Sequence, residues 1–154
     1  MRKGQTALEY LITYGWAILI ILVVLAVLWY YDVFNPAKWA GETEYCPTDF
    51  ELLGAELTGA GTATGSLSLV LGNKVGNQIN ISDITIAGDA TGTWSGSVTL
   101  APGGQTASPI VVQNIDLSSF SVGDIVTLTA TIDFKDNVLN MTGDEICDIR
   151  KKVS

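Results

Sequence analysis

The chain has 154 residues, of which 47% are hydrophobic and 16% charged, and its mean hydropathy is +0.34. Eight Lys and Arg against sixteen Asp and Glu leave a formal charge of −8, and there is no His. That balance argues against an ordinary soluble domain and against nucleic acid as a partner, and it removes His-dependent nucleophilic catalysis together with His-ligated zinc and haem. The two Cys are too few for a four-ligand structural zinc site, so no cofactor, metal or catalytic residue is expected.

Residues 2–10 read RKGQTALEY, and the next charge after Glu9 is Asp32. The 22 residues between them, Tyr10 to Tyr31, are apolar on every face of a helical projection. At ~1.5 Å per residue such a helix is about 33 Å long, enough for the ~30 Å hydrocarbon core of a bilayer. Tyr10, Tyr14 and Trp16 at one end and Trp29, Tyr30 and Tyr31 at the other suit the two membrane interfaces. Asn35-Pro36 marks the stop. Arg2 and Lys3 precede the span, whereas six Lys/Arg and fifteen Asp/Glu follow it, so the N-terminus is expected on the cytoplasmic side and the rest outside. A secretory signal fits poorly: the apolar run exceeds ~15 residues and no A-x-A site follows.

The charged leader, Gly4-Gln5 and the lone carboxylate of Glu9 set against an apolar span resemble the class III signal sequence of archaeal type IV pilins. The form QxSxExxxL of that family has Ser where this chain has Ala7 and Leu where it has Thr13. The resemblance implies a prepilin peptidase that cuts between Gly4 and Gln5 and leaves the helix in the mature subunit. Loss of Arg2 and Lys3 would take the charge from −8 to −10. It further implies a membrane platform, a cytoplasmic assembly ATPase and a homo-oligomeric helical filament. The precursor would sit in the cell membrane and the mature filament at the cell surface. Glu9 would meet the new amine of Gln5 on a neighbouring subunit and set register; the alternative is a helix N-terminal acid favoured by the macrodipole. The Gly-rich start of the archaellin branch is absent, which points to an adhesion-type pilus. Gly15, Ala17 and Ala26 are small enough to allow close helix approach, or are scattered by chance.

The expected fold class is α+β: a leader over 1–4, a hydrophobic helix over 5–34, a linker over 35–45 and an all-β head over 46–154. In the head, Thr, Ser, Gly and β-branched residues form short alternating runs. Ile125 to Phe134 is the clearest strand, with Val126, Leu128, Ala130, Ile132 and Phe134 on one face. Phe50–Thr58, Gly65–Leu71, Gln78–Ala87, Thr93–Leu100, Ser108–Ile115 and Asn137–Ile149 are the others. This composition predicts a sandwich, and the resemblance adds an immunoglobulin-like topology.

Cys46 and Cys147 bracket the head, and outside the cell a disulfide is the natural reading, two buried thiols being the alternative. Closing such a loop is worth about 4.7 kcal/mol in the chain-entropy view. Asn80-Ile81-Ser82 and Asn140-Met141-Thr142 are glycan acceptor sequences. Gly59-Ala60-Gly61 and Gly65 lack phosphate-loop spacing and read as a hairpin loop. Asp133, Asp136 and Asn137 lack EF-hand spacing and read as a strand-ending turn. Arg150, Lys151 and Lys152 read as a solvated basic tail, or as a contact to the next subunit. The same helix and head would equally serve a membrane-anchored receptor or envelope module, or a minor pilin.

Overall fold

The chain divides into two units, Met1–Ala40 and Gly41–Ser154. A computed structural model describes residues 3–31, 33–34 and 41–154, and for residues 3–6 and 11 the backbone alone.

In the first unit the apolar run forms one helix, α1 (Lys3–Tyr30). It starts inside the expected leader and stops at Tyr30 rather than at 34. The end is closed by backbone bonds from Tyr31 N–H to the Val27 carbonyl and from Val33 N–H to the Leu28 carbonyl, both 3.0 Å. The Asn35-Pro36 stop signal lies outside the described residues. Ala7–Tyr30 is long and apolar enough to cross a membrane, and none of this span is buried within the chain.

The second unit holds eight strands: β1 (Thr43–Tyr45), β2 (Phe50–Thr58), β3 (Gly65–Asn73), β4 (Ile79–Gly88), β5 (Gly92–Leu100), β6 (Ile110–Ile115), β7 (Ile125–Asp136) and β8 (Met141–Lys152). They form a five-stranded antiparallel sheet in the order β1-β8-β7-β4-β5 and a three-stranded antiparallel sheet in the order β2-β3-β6. Both sheets contribute to one apolar core. Leu67, Leu69 and Leu71 of β3, Ile79, Ile81, Ile84 and Ile86 of β4, and Val126, Leu128, Ala130, Ile132 and Phe134 of β7 point into it. The alternation expected along β7 is therefore met residue by residue.

Two features depart from the expected order. Thr43–Tyr45, inside the stretch read as linker, is a strand paired with β8, while residues 35–40 of that stretch lie outside the described residues. The last strand begins at Met141, because residues 137–140 form the turn of the β7–β8 hairpin, and it runs through to Lys152.

Of the other hairpins, β2–β3 closes through residues 59–64 and β4–β5 through the shorter turn 89–91. Gly88, the last residue of β4, has φ +116°, and a Cβ there would come within 2.6 Å of the Thr127 carbonyl, so this close backbone approach excludes any larger residue. Strand β5 forms the edge of the larger sheet opposite β1 and carries no charge (GTWSGSVTL). It bulges against β4 between the pairs Asp83–Ser95 and Ile81–Val98, and the Trp94 indole lies across Gly96.

Candidate functional site

The register of β1 on β8 places Tyr45 opposite Asp148, and the next pair along is Cys46 and Cys147. These are bonded, with Cα atoms 4.3 Å apart, as suits directly opposed residues at a closely spaced position of an antiparallel pair. Neither sulfur is a free thiol. Two residues before Cys147 on the same inward face of β8 sits Glu145, 4% exposed. Its carboxylate accepts from the backbone N–H groups of Thr48, of Asp49 at 2.6 Å and of Phe50 at 2.8 Å. Here the chain leaves the larger sheet and starts β2 in the smaller one, so these N–H groups have no ladder partner. A buried carboxylate is costly alone, and three converging donors offset that cost. Phe50, fully buried, meets Phe134 edge to face with centroids 5.1 Å apart. Sequence reasoning passed over Glu145, although its signal was present: alternation through Cys147 and Ile149 puts this carboxylate on the core face.

The basic tail reads differently in the structure. Lys151 is part of β8 and bridges Glu42, at 3.0 Å, and Glu44, both flanking or within β1. Glu44 and then Glu42 hold the Lys151 ammonium above its ordinary value, and Lys151 lowers Glu42. The expectation of a solvated tail is corrected for this residue: the lysine fastens the first strand to the last. The chain end is also tied in, with Ser154 N–H donating to the Leu57 carbonyl at 2.9 Å and Gly59 N–H donating to the Ser154 carbonyl at 3.0 Å.

The end of the head remote from Gly41 is organised by polar side chains. Asn73, 3% exposed, donates its amide to the carbonyls of Asn77 and Ala101, at 2.9 and 3.0 Å, and accepts from Val75 N–H at 2.8 Å. Asp136 accepts from Val138 and Leu139 N–H, both 2.8 Å, and from the Asn77 amide at 2.9 Å. Asp136 thus ends a strand and caps the β7–β8 turn, as expected for DFKDN, and it ties that turn to the β3–β4 loop. Beyond it Val138, Leu139 and Met141 stand 61–66% exposed.

The two glycan candidates occupy unlike places. Asn80 sits within β4, paired to Thr99 on one side and Lys135 on the other, and its Oδ1 accepts from Ser97. Asn140 is exposed, has φ 55° and ends the hairpin turn. On the outer face of the larger sheet Asp83 opposes Asp133, which opposes Asp144. Among the described residues no group of three or more His, Cys, Asp or Glu is placed to hold a metal ion.

At the other end of the chain, Gly4 and Gln5 lie in the first turn of α1, and their side chains are outside the described residues. Glu9 is exposed, and its carbonyl accepts the Thr13 hydroxyl at 2.7 Å, a bond back by one helical turn. Compared with models of known protein families and with curated proteins, the chain matches none.

Two expectations follow from the head. Glu145→Gln keeps the shape but sets an amide against three N–H donors, and destabilisation by about 3 kcal/mol is expected in urea titrations with the disulfide intact. The Asp136 carboxyl is held below its ordinary value of 3.8, first by Leu139 N–H, then by the Asn77 amide and Val138 N–H. Its stabilisation is therefore complete above pH 3.8 and is lost as pH falls through the lower folded value. Exchange protection at Val138 and Leu139, measured against the intrinsic rate at each pH, should fall only below pH 3.8 in the parent, and should be reduced at every pH in Asp136→Asn.

Proposed function

We propose that the chain is a structural subunit of an extracellular type IV pilus-like filament, held together by α1 and presenting the β head for surface contact. The observation that carries this reading is a helix of membrane-spanning length whose apolar side chains are exposed on all faces, joined to a separately cored, disulfide-closed head. Such a surface needs lipid or other helices around it. Exchanging lipid for a bundle gains little hydrophobic energy, so packing and the polar helix start drive assembly. The motif Arg2-Lys3-Gly4-Gln5 with Glu9 supports processing by a prepilin peptidase before Gln5, with Glu9 meeting the amine of Gln5 on a neighbouring subunit. A membrane platform and an assembly ATPase complete the partners, and the role is structural rather than catalytic.

The head, in this reading, is immunoglobulin-like. Strands β2, β3 and β6 take the places of A, B and E, and β8, β7, β4 and β5 those of G, F, C and C′, with β1 added at the edge. The disulfide then joins the lead-in of A to G rather than B to F.

Material sheared from cells of the native host tests the reading by intact mass, N-terminal sequencing and negative-stain microscopy. Filaments of a chain beginning at Gln5 are expected. An uncut chain found only in membranes would overturn it in favour of an anchored envelope module. In the same spectra, any glycan mass should vanish in Asn140→Gln and persist in Asn80→Gln, because the exposed hairpin end is open to a transferase and the strand position is not.

A further inference from the structure

We propose that the Cys46–Cys147 bond makes the head a taut, nearly inextensible tether between its entry at Gly41 and its hairpin tip at Val138-Leu139. The argument rests on direction. Strand β1 runs antiparallel to β8, with Thr43 opposite Arg150 and Tyr45 opposite Asp148. A path from Gly41 to Cys46, across the sulfurs, and back along β8 from Cys147 to Met141 therefore keeps one heading from end to end. Thr43–Tyr45 of the first segment and all of the second are strand. At ~3.3 Å per residue this path spans about 40 Å already, and full extension at ~3.5 Å per residue adds little.

Without the bond the connection between the same two points is the backbone itself, roughly 98 residues and about 340 Å when drawn out. The noncovalent hold on β1 is slight: a three-residue ladder and the contacts of Lys151 to Glu42 and Glu44. Pulling Gly41 one way and the tip the other shears this ladder along its length. Once it slips, tension reaches the Glu145 bonds to Thr48, Asp49 and Phe50, and then the core strands in turn. With the bond in place tension passes from β1 into the first half of β8, and strands β2 to β7 lie outside its path. The inference concerns the head alone and holds whether or not the chain assembles into filaments.

The test is single-molecule pulling on the full chain in detergent, with DNA handles clicked to azide-bearing phenylalanines at positions 41 and 139. A Cβ at Gly41 would meet nothing within 4 Å and Leu139 is 61% exposed, so both sites accept the label. The oxidised head should lengthen by no more than about 2 nm, and by about 30 nm once a phosphine reduces the bond on the held molecule. Reduction in place avoids relying on Cys46→Ser or Cys147→Ser variants, which must fold without the bond. Handles at 41 and 91 serve as the control, because the direct chain is the shorter route in both states; about 15 nm is expected with or without reductant. A 30 nm gain in the oxidised 41/139 molecule, or no increase on reduction while the control unfolds, would overturn the proposal.

Discussion

The fold of the head depends on how its last strand holds the place where the chain changes sheets. Between Cys46 and Phe50 the backbone gives up its pairing with β8 and begins β2 in the opposite layer, and a crossing of this kind leaves N–H groups without ladder partners at the rim of the core. Strand β8 answers with two side chains from one face: Cys147 fixes the start of the crossing covalently, and Glu145 receives the N–H groups of Thr48, Asp49 and Phe50. Phe50 is thereby delivered against Phe134, and the two sheets close over a shared core. Lys151 on the same strand then secures the approach to β1 through Glu42 and Glu44.

The helix poses the opposite problem. Its satisfied backbone needs nothing from the rest of the chain, but its side chains have no cover of their own. A unit that is self-sufficient in hydrogen bonds and deficient in apolar contacts is suited to exchanging one apolar surrounding for another. In the proposed filament the one carboxylate at its start, Glu9, sets register against a neighbour. In that filament the two tasks of the chain are separate: the head carries its own core, and the helix is completed by neighbours.

Much of this architecture was legible in the sequence, because the strands of the head are long enough for period-two patterning to show. The bounds of β2 coincide with those expected, and the inward set of β7 matches residue by residue. Strand β1 escaped because three residues, Thr-Glu-Tyr, carry no period and lie next to a membrane span that dominates the local composition. The role of Glu145 escaped for a different reason: its partners are backbone N–H groups about 95 positions away, and side-chain patterns do not register backbone donors. Lys151 was misread because charge near a chain end suggests solvent, whereas the pairing of β8 with β1 brings two glutamates beside it. The leader and the helix start are where sequence alone speaks, since the side chains of Gly4 and Gln5 lie outside the described residues.

The uncharged edge strand β5 has a bearing on how such heads behave when crowded. A straight row of free N–H and C=O groups over nine residues, without Lys or Pro to interrupt it, is a template on which a neighbouring chain could add a strand. The extra residue near Gly96 and Ser97 breaks the spacing of that row, and the Trp94 ring lying over Gly96 fixes the break in place. In the proposed filament, heads brought side by side would thus meet an edge that resists fusing into a continuous sheet. A residue larger than Gly at 96 would displace the indole and expose the edge that it covers, while the extra residue of the bulge would remain.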